Sequence, residues 1–153
     1  EILKDPHCGA FAVIRLCTYF LAYFCVAFCI RFSPRVGLCW TLALVLERGL
    51  SGLAVAAFPM AKNTGLAHTF ATAADRESVQ KILIVLSVLL AAALIALGGG
   101  ALVAAALLVL WRYHHVAVKE FGGITGDLAG WFLQKAEFWM LAALAASQWG
   151  GIL

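Results

Sequence analysis

The chain has 153 residues, of which 64% are hydrophobic and only 12% charged, and its mean hydropathy is +0.97. Soluble domains carry about 25% charged residues, so this composition excludes an ordinary water-soluble fold and points to a bilayer as solvent. The formal charge of +3 comes from eleven Lys and Arg that are scattered rather than clustered, which leaves no electrostatic footprint for nucleic acid.

The opening "EILKDPHCGAFAVI" lacks the basic n-region of a signal peptide and is expected to continue from a longer protein. A spanning helix needs roughly 20 mainly apolar residues. The first such run goes from about Gly9 to Ile30 and ends at "RFSPRVG", where Pro34 and Gly37 mark a short loop. The second goes from about Val36 to Phe58, is closed by Pro59, and contains the adjacent charges Glu47 and Arg48. A polar loop follows, and its "DRES" predicts the solvated start of a helix. From Lys81 to Trp111 the chain is almost continuously apolar, and "GGG" at 98–100 predicts a hairpin of two helices rather than one overlong span. The last run, from about Leu128 to Ala146, completes an all-α polytopic transmembrane bundle of about five spanning helices in a single domain covering 1–153, with Trp131, Trp139 and Trp149 as interfacial anchors.

Five spans joined by short turns place three polar segments on one side: the N-terminus, the loop around Lys62 to Lys81, and "RYHHVAVKEFGGITGD". That side carries Lys4, Lys62, Arg76, Lys81, Arg112 and Lys119 against Arg31 and Arg35 on the other, so the positive-inside rule makes it cytoplasmic. The five cysteines, Cys8, Cys17, Cys25, Cys29 and Cys39, form no CxxC and are expected to be small buried hydrophobes.

Charged groups inside a span cost about 2.5–3.5 kcal/mol each at a helix centre, so Glu47, Arg48 and Glu137 are expected to face the bundle interior. Adjacent helical residues point about 100° apart, which predicts different partners for Glu47 and Arg48. One reading makes the three the lining of a pathway in a small transporter or channel subunit. Asp127 in "GGITGD" and Asp5 in "LKDPHCG" are carboxylates beside glycines at the membrane boundary, an arrangement suited to Mg²⁺ shared with phosphate. The alternative for Thr125 and Asp127 is capping of the fifth helix. Neither a P-loop nor a dinucleotide fingerprint is present, and His114 and His115 are adjacent, a poor spacing for a helical metal pair.

In this order and spacing, "EILKDPHCGAFAVI", "AAFPMAKNTGLAHTF" and "FGGITGDLAGWFLQKAE" resemble the C-terminal part of the cobalamin synthase family, membrane-bound adenosylcobinamide-GDP ribazoletransferases. The resemblance is carried by Lys4, Asp5 and Gly9, by Phe58, Pro59, Gly65, Leu66 and Phe70, and by Gly122, Gly123, Thr125, Gly126 and Asp127, which match a GGxTGD signature. Ala12 stands where a second glycine is common, and Gln134 where the family often has the first of two glutamates, leaving Glu137. Members carry an aspartate-rich element shortly before the lysine–aspartate motif, so the chain is expected to be a fragment lacking that element.

The resemblance implies a Mg²⁺-dependent transfer in which α-ribazole or its 5′-phosphate attacks the pyrophosphate of adenosylcobinamide-GDP and GMP leaves. It implies Asp5 and Asp127 as catalytic and metal-binding groups, Glu137 as a further metal ligand, Lys4, Arg48 and Lys62 as phosphate contacts, and Gly122, Gly123, Thr125 and Gly126 as backbone for the substrate. The expected setting is a bacterial or archaeal inner membrane with a cytoplasmic active face, the missing N-terminal part of the enzyme as partner, and room for a homo-oligomer.

Overall fold

Among the residues that the computed structural model describes, 9–61 and 76–153, the chain forms five helices. They are α1 (Ala10–Phe28), α2 (Pro34–Ala57), α3 (Arg76–Ala96), α4 (Gly100–Phe121) and α5 (Gly126–Trp149). Local chemistry sets their limits. Ser33 caps α2 by accepting from Val36 N at 3.2 Å, and Pro34 occupies the first turn, where its missing N–H is not needed. A continuous helix from Arg76 to Phe121 would be on the order of 70 Å long. The chain instead turns at "GGG", with Gly98 at φ +88°, so the expected hairpin is present.

Four helices, α1 to α4, are long and apolar enough to cross a membrane. The fifth is as long but carries Asp127, Lys135 and Glu137, and its place in the bundle comes from packing: it contacts α1, α2 and α4. Phe132, Ala136, Met140 and Leu144 are fully or almost fully buried at a spacing of four, which makes one helical stripe. Facing it are Leu102, Ala106, Val109, Tyr113 and Ala117 of α4 and Cys39, Ala43, Leu46, Leu50 and Ala54 of α2. The alanines let backbones approach closely, as association within lipid requires.

The expectation of buried cysteines holds for Cys39 alone among the described ones. Cys17, Cys25 and Cys29 are exposed because α1 lies at the edge of the bundle and buries no residue.

Alternating helix directions gather the start of α1, the end of α2, the start of α3 and the α4–α5 turn at one end, the predicted polar side. Arg76 Nε donates to the Ala56 carbonyl at 2.6 Å and Gln80 donates to the same oxygen, so α3 completes the C-terminus of α2. At the opposite end, Arg31 N donates to Gln148 Oε1 at 2.9 Å, Gln148 Nε2 donates back to Arg31 O at 2.7 Å, and Arg35 donates twice to the Leu97 carbonyl at 2.7 and 3.1 Å. Of the two arginines that oppose the sidedness count, Arg35 thereby joins helix ends through its guanidinium and Arg31 through its backbone.

Candidate functional site

The segment "GGITG" joins α4 to α5 and is tied to the chain that leaves α2. Ile124 N donates to Pro59 O at 2.8 Å, Ala61 N donates to Ile124 O at 3.0 Å, and Met60 and Ile124 form an isolated parallel bridge. Two of the three motifs singled out in the sequence therefore meet. Phe58 strengthens the junction by packing on Tyr113, with centroids 5.9 Å apart, and on His114, at 4.5 Å. His115 lies over Trp111 at 6.0 Å, so both histidines serve aromatic contacts.

The glycines divide by role. Gly122 ends α4 in the left-handed conformation, φ +70°, with open space where a Cβ would project. Gly123 has φ +152°, and a Cβ there would lie 2.5 Å from Ala61 N and Met60 C and 2.6 Å from Pro59 O. Its lack of a side chain serves the chain's own backbone crossing. Gly126, by contrast, faces open space. Thr125 caps α5, its hydroxyl accepting from Leu128 N at 3.3 Å, so the capping alternative holds for this residue.

Asp127 stands exposed in the first turn of α5, where the helix dipole favours a carboxylate. It lines a cavity of about 310 Å³ with Arg112, Thr125 and Trp131. Below this, a cavity of about 530 Å³ between α4 and α5 shares Arg112 and Trp131 and adds Lys135, Leu108 and Trp139. Arg112 and Lys135 were not among the predicted site residues. Their signal was symmetry about the turn: each lies nine positions from its end of the helical hairpin, a register that sets them opposite one another.

Glu137 does not join Asp127. Ten positions along one helix separate them, about 15 Å of rise, too far for both side chains to ligate one ion at the roughly 2.1 Å that Mg²⁺ requires. Glu137 instead accepts from the Tyr23 hydroxyl at 2.8 Å, which joins α1 to α5. Glu47 is fully buried, and Arg48, its side chain 58% exposed, bends back to 3.5 Å from Glu47 Oε1. The expectation of different partners fails because the long arginine reaches its own neighbour. Arg48 lies nine positions before the end of α2 and is not among the residues that line the two cavities beside Asp127. With Glu47 sealed, Arg48 turned outward and Glu137 bonded to Tyr23, the three line no common pathway among the described residues. Lys4, Asp5 and Lys62 lie outside the described residues.

The junction of the "AAFPM" and "GGITGD" segments is the feature to compare with known proteins. The family profile described as cobalamin-5-phosphate synthase matches residues 1–145. The chain belongs to this family. Among curated members of the cobalamin-5-phosphate synthase family, it is 39% identical over 148 residues to an adenosylcobinamide-GDP ribazoletransferase of Lachnoclostridium phytofermentans, covering 95% of this chain and 55% of that one. It is 31% identical over 146 residues to a protein of the same name from a Geobacillus species, covering 92% of this chain and 55% of the relative. The chain thus spans about half the length of the curated relatives it matches. No solved structure matches it.

Proposed function

We propose that this chain forms the C-terminal part of an adenosylcobinamide-GDP ribazoletransferase and supplies one wall of its phosphotransfer site. The supporting observation is the backbone bridge between Met60 and Ile124, which holds Asp127 beside the segment leading into Lys62. Transfer of a phosphoryl group from a pyrophosphate needs fixed positive charge against the leaving phosphate and a positioned acceptor oxygen. In this reading α-ribazole or its 5′-phosphate supplies that oxygen, adenosylcobinamide-GDP supplies the phosphorus, and GMP departs. Lys4 and Lys62 are the phosphate contacts. Arg48 is left out because it lies against Glu47 and lines neither cavity beside Asp127.

Mg²⁺ is commonly held by one or two carboxylates together with substrate phosphate. An exposed Asp127 at a helix start fits that pattern as one ligand, and Asp5 is the second. Among the described residues no group of three His, Cys, Asp or Glu could hold a metal ion; in this reading substrate oxygens contribute to the set. When bound, the ion would offset charge on the pyrophosphate. The site opens to the cytoplasm at the inner membrane, and a homo-oligomer is compatible with the exposed α1. The test is Asp127→Asn in the full-length enzyme. Asp127 is exposed and makes no structural bond that the substitution would break, so we expect normal membrane insertion and thermal stability with turnover reduced at least about a hundredfold, in the range typical of a lost charge-stabilising group. Parent-like turnover would remove Asp127 from the site.

A further inference from the structure

The groove between α4 and α5 is graded along its length. At its upper end are Thr125 and Asp127, in the middle Arg112 and Lys135, and below them Ala105, Leu108 and Trp139. Both cations lie nine positions from the α4–α5 turn, at a common depth of about 13 Å below the helix ends. Among the described residues neither makes an ion pair; the ion pairs formed there join Arg48 to Glu47 and Lys81 to Glu77. Two unpaired cations that line one groove at a common level form an attractive place for an anion.

The lower walls indicate which anion. Leu108 is 66% and Trp139 53% exposed, so beneath the cations the groove opens sideways onto apolar surface that an acyl chain suits. A dissolved phosphate would satisfy Arg112 and Lys135 but would leave that surface unfilled. Polar above, cationic at one level and apolar below is the order of groups along a phospholipid.

We propose that this groove binds one anionic phospholipid, its headgroup phosphate between Arg112 and Lys135 and an acyl chain along Leu108 and Trp139. The site adjoins the cavity that Asp127 lines and shares Arg112 with it, but the lipid takes no part in the transfer reaction assigned above. Arginine holds phosphate oxygens in a bidentate fork and lysine adds a point charge, while Trp131 flanks the headgroup level, where indole is favoured.

The full chain in detergent, given phosphatidylglycerol or phosphatidylcholine, tests this by native mass spectrometry. We expect one phosphatidylglycerol retained per chain, at least about tenfold more than phosphatidylcholine. Arg112→Gln with Lys135→Gln should abolish that preference, since each basic group near the surface contributes appreciably to anionic lipid binding. Leu108→Trp, at an exposed position that tolerates bulk, blocks the acyl path with both cations intact and should also reduce retention; it serves should the double variant not fold. Equal retention of the two lipids, or unaltered retention in whichever variants fold, overturns the site. Displacement of the lipid by millimolar inorganic phosphate or GDP would also overturn it, by assigning the cations to a soluble phosphate compound.

Discussion

Gly123→Ala is the sharpest perturbation of the junction between α2 and the α4–α5 turn. An added Cβ would meet three backbone atoms of Pro59, Met60 and Ala61 at 2.5–2.6 Å, where nothing flexible can yield. The residue also sits at φ +152°, a conformation that side-chain-bearing residues rarely adopt. Backbone strain costs about 1–3 kcal/mol and overpacking about 1–3 kcal/mol, so the loss should be about 2–6 kcal/mol. If the chain relaxes by separating the strands, the two bridging hydrogen bonds go instead, at about 0.5–1.5 kcal/mol each. Thermal unfolding in detergent, followed by circular dichroism, reads the effect. Gly126→Ala is the control: its Cβ enters open space, and its stability should lie within about 0.5 kcal/mol of the parent, as for ordinary surface changes. A Gly123→Ala protein as stable as the Gly126→Ala protein would refute the close crossing.

Three further outcomes follow from single contacts. Thr125→Ala removes the α5 cap and should cost about 1 kcal/mol, with Thr125→Ser restoring most of it in the same melts. Tyr23→Phe breaks the bond to Glu137; hydrogen bonds to charged groups contribute about 1.5–3 kcal/mol, and weakened docking of α1 should appear as faster hydrogen exchange in that helix. Tyr113 is fully buried between Phe58 and Phe132, and its hydroxyl has no hydrogen-bond partner among the described residues. Tyr113→Phe should therefore leave stability unchanged or raise it by up to about 1–3 kcal/mol, the range for burying an unsatisfied hydroxyl; a loss above 1 kcal/mol, on the order of one hydrogen bond, would show that the hydroxyl has a partner.

Apolar run length and the placement of Pro and Gly were enough to read the helix order, the "GGG" hairpin and the shared polar end. These signals are local, and each helix end needs local chemistry to satisfy its backbone. Which helix occupies the centre was not legible. α5 carries Asp127, Lys135 and Glu137 and is less apolar than α1, yet it packs against three helices, while α1 stays at the edge. Hydropathy measures tolerance of lipid rather than position among helices. At the site, Thr125 and the Asp127 turn could be placed from the motif, whereas the crowding of Gly123 could not: it comes from the distant backbone of Pro59 to Ala61. Glu137 was grouped with Asp127 by the family resemblance, although helical rise alone separates them. The pairing of Arg112 with Lys135 was present in the register of the hairpin but carried no motif to draw attention to it.

The bridge between Met60 and Ile124 also constrains the order in which the molecule assembles. The two bonded segments flank the α3–α4 hairpin on either side in sequence, and both belong to the same end of the bundle. During synthesis the partner strand at Ile124 emerges only after the whole of α4, so Pro59 to Ala61 must wait, unpaired, until both helices of the hairpin have crossed and returned. The bridge beside the Asp127 turn therefore depends on correct insertion of the α3–α4 hairpin.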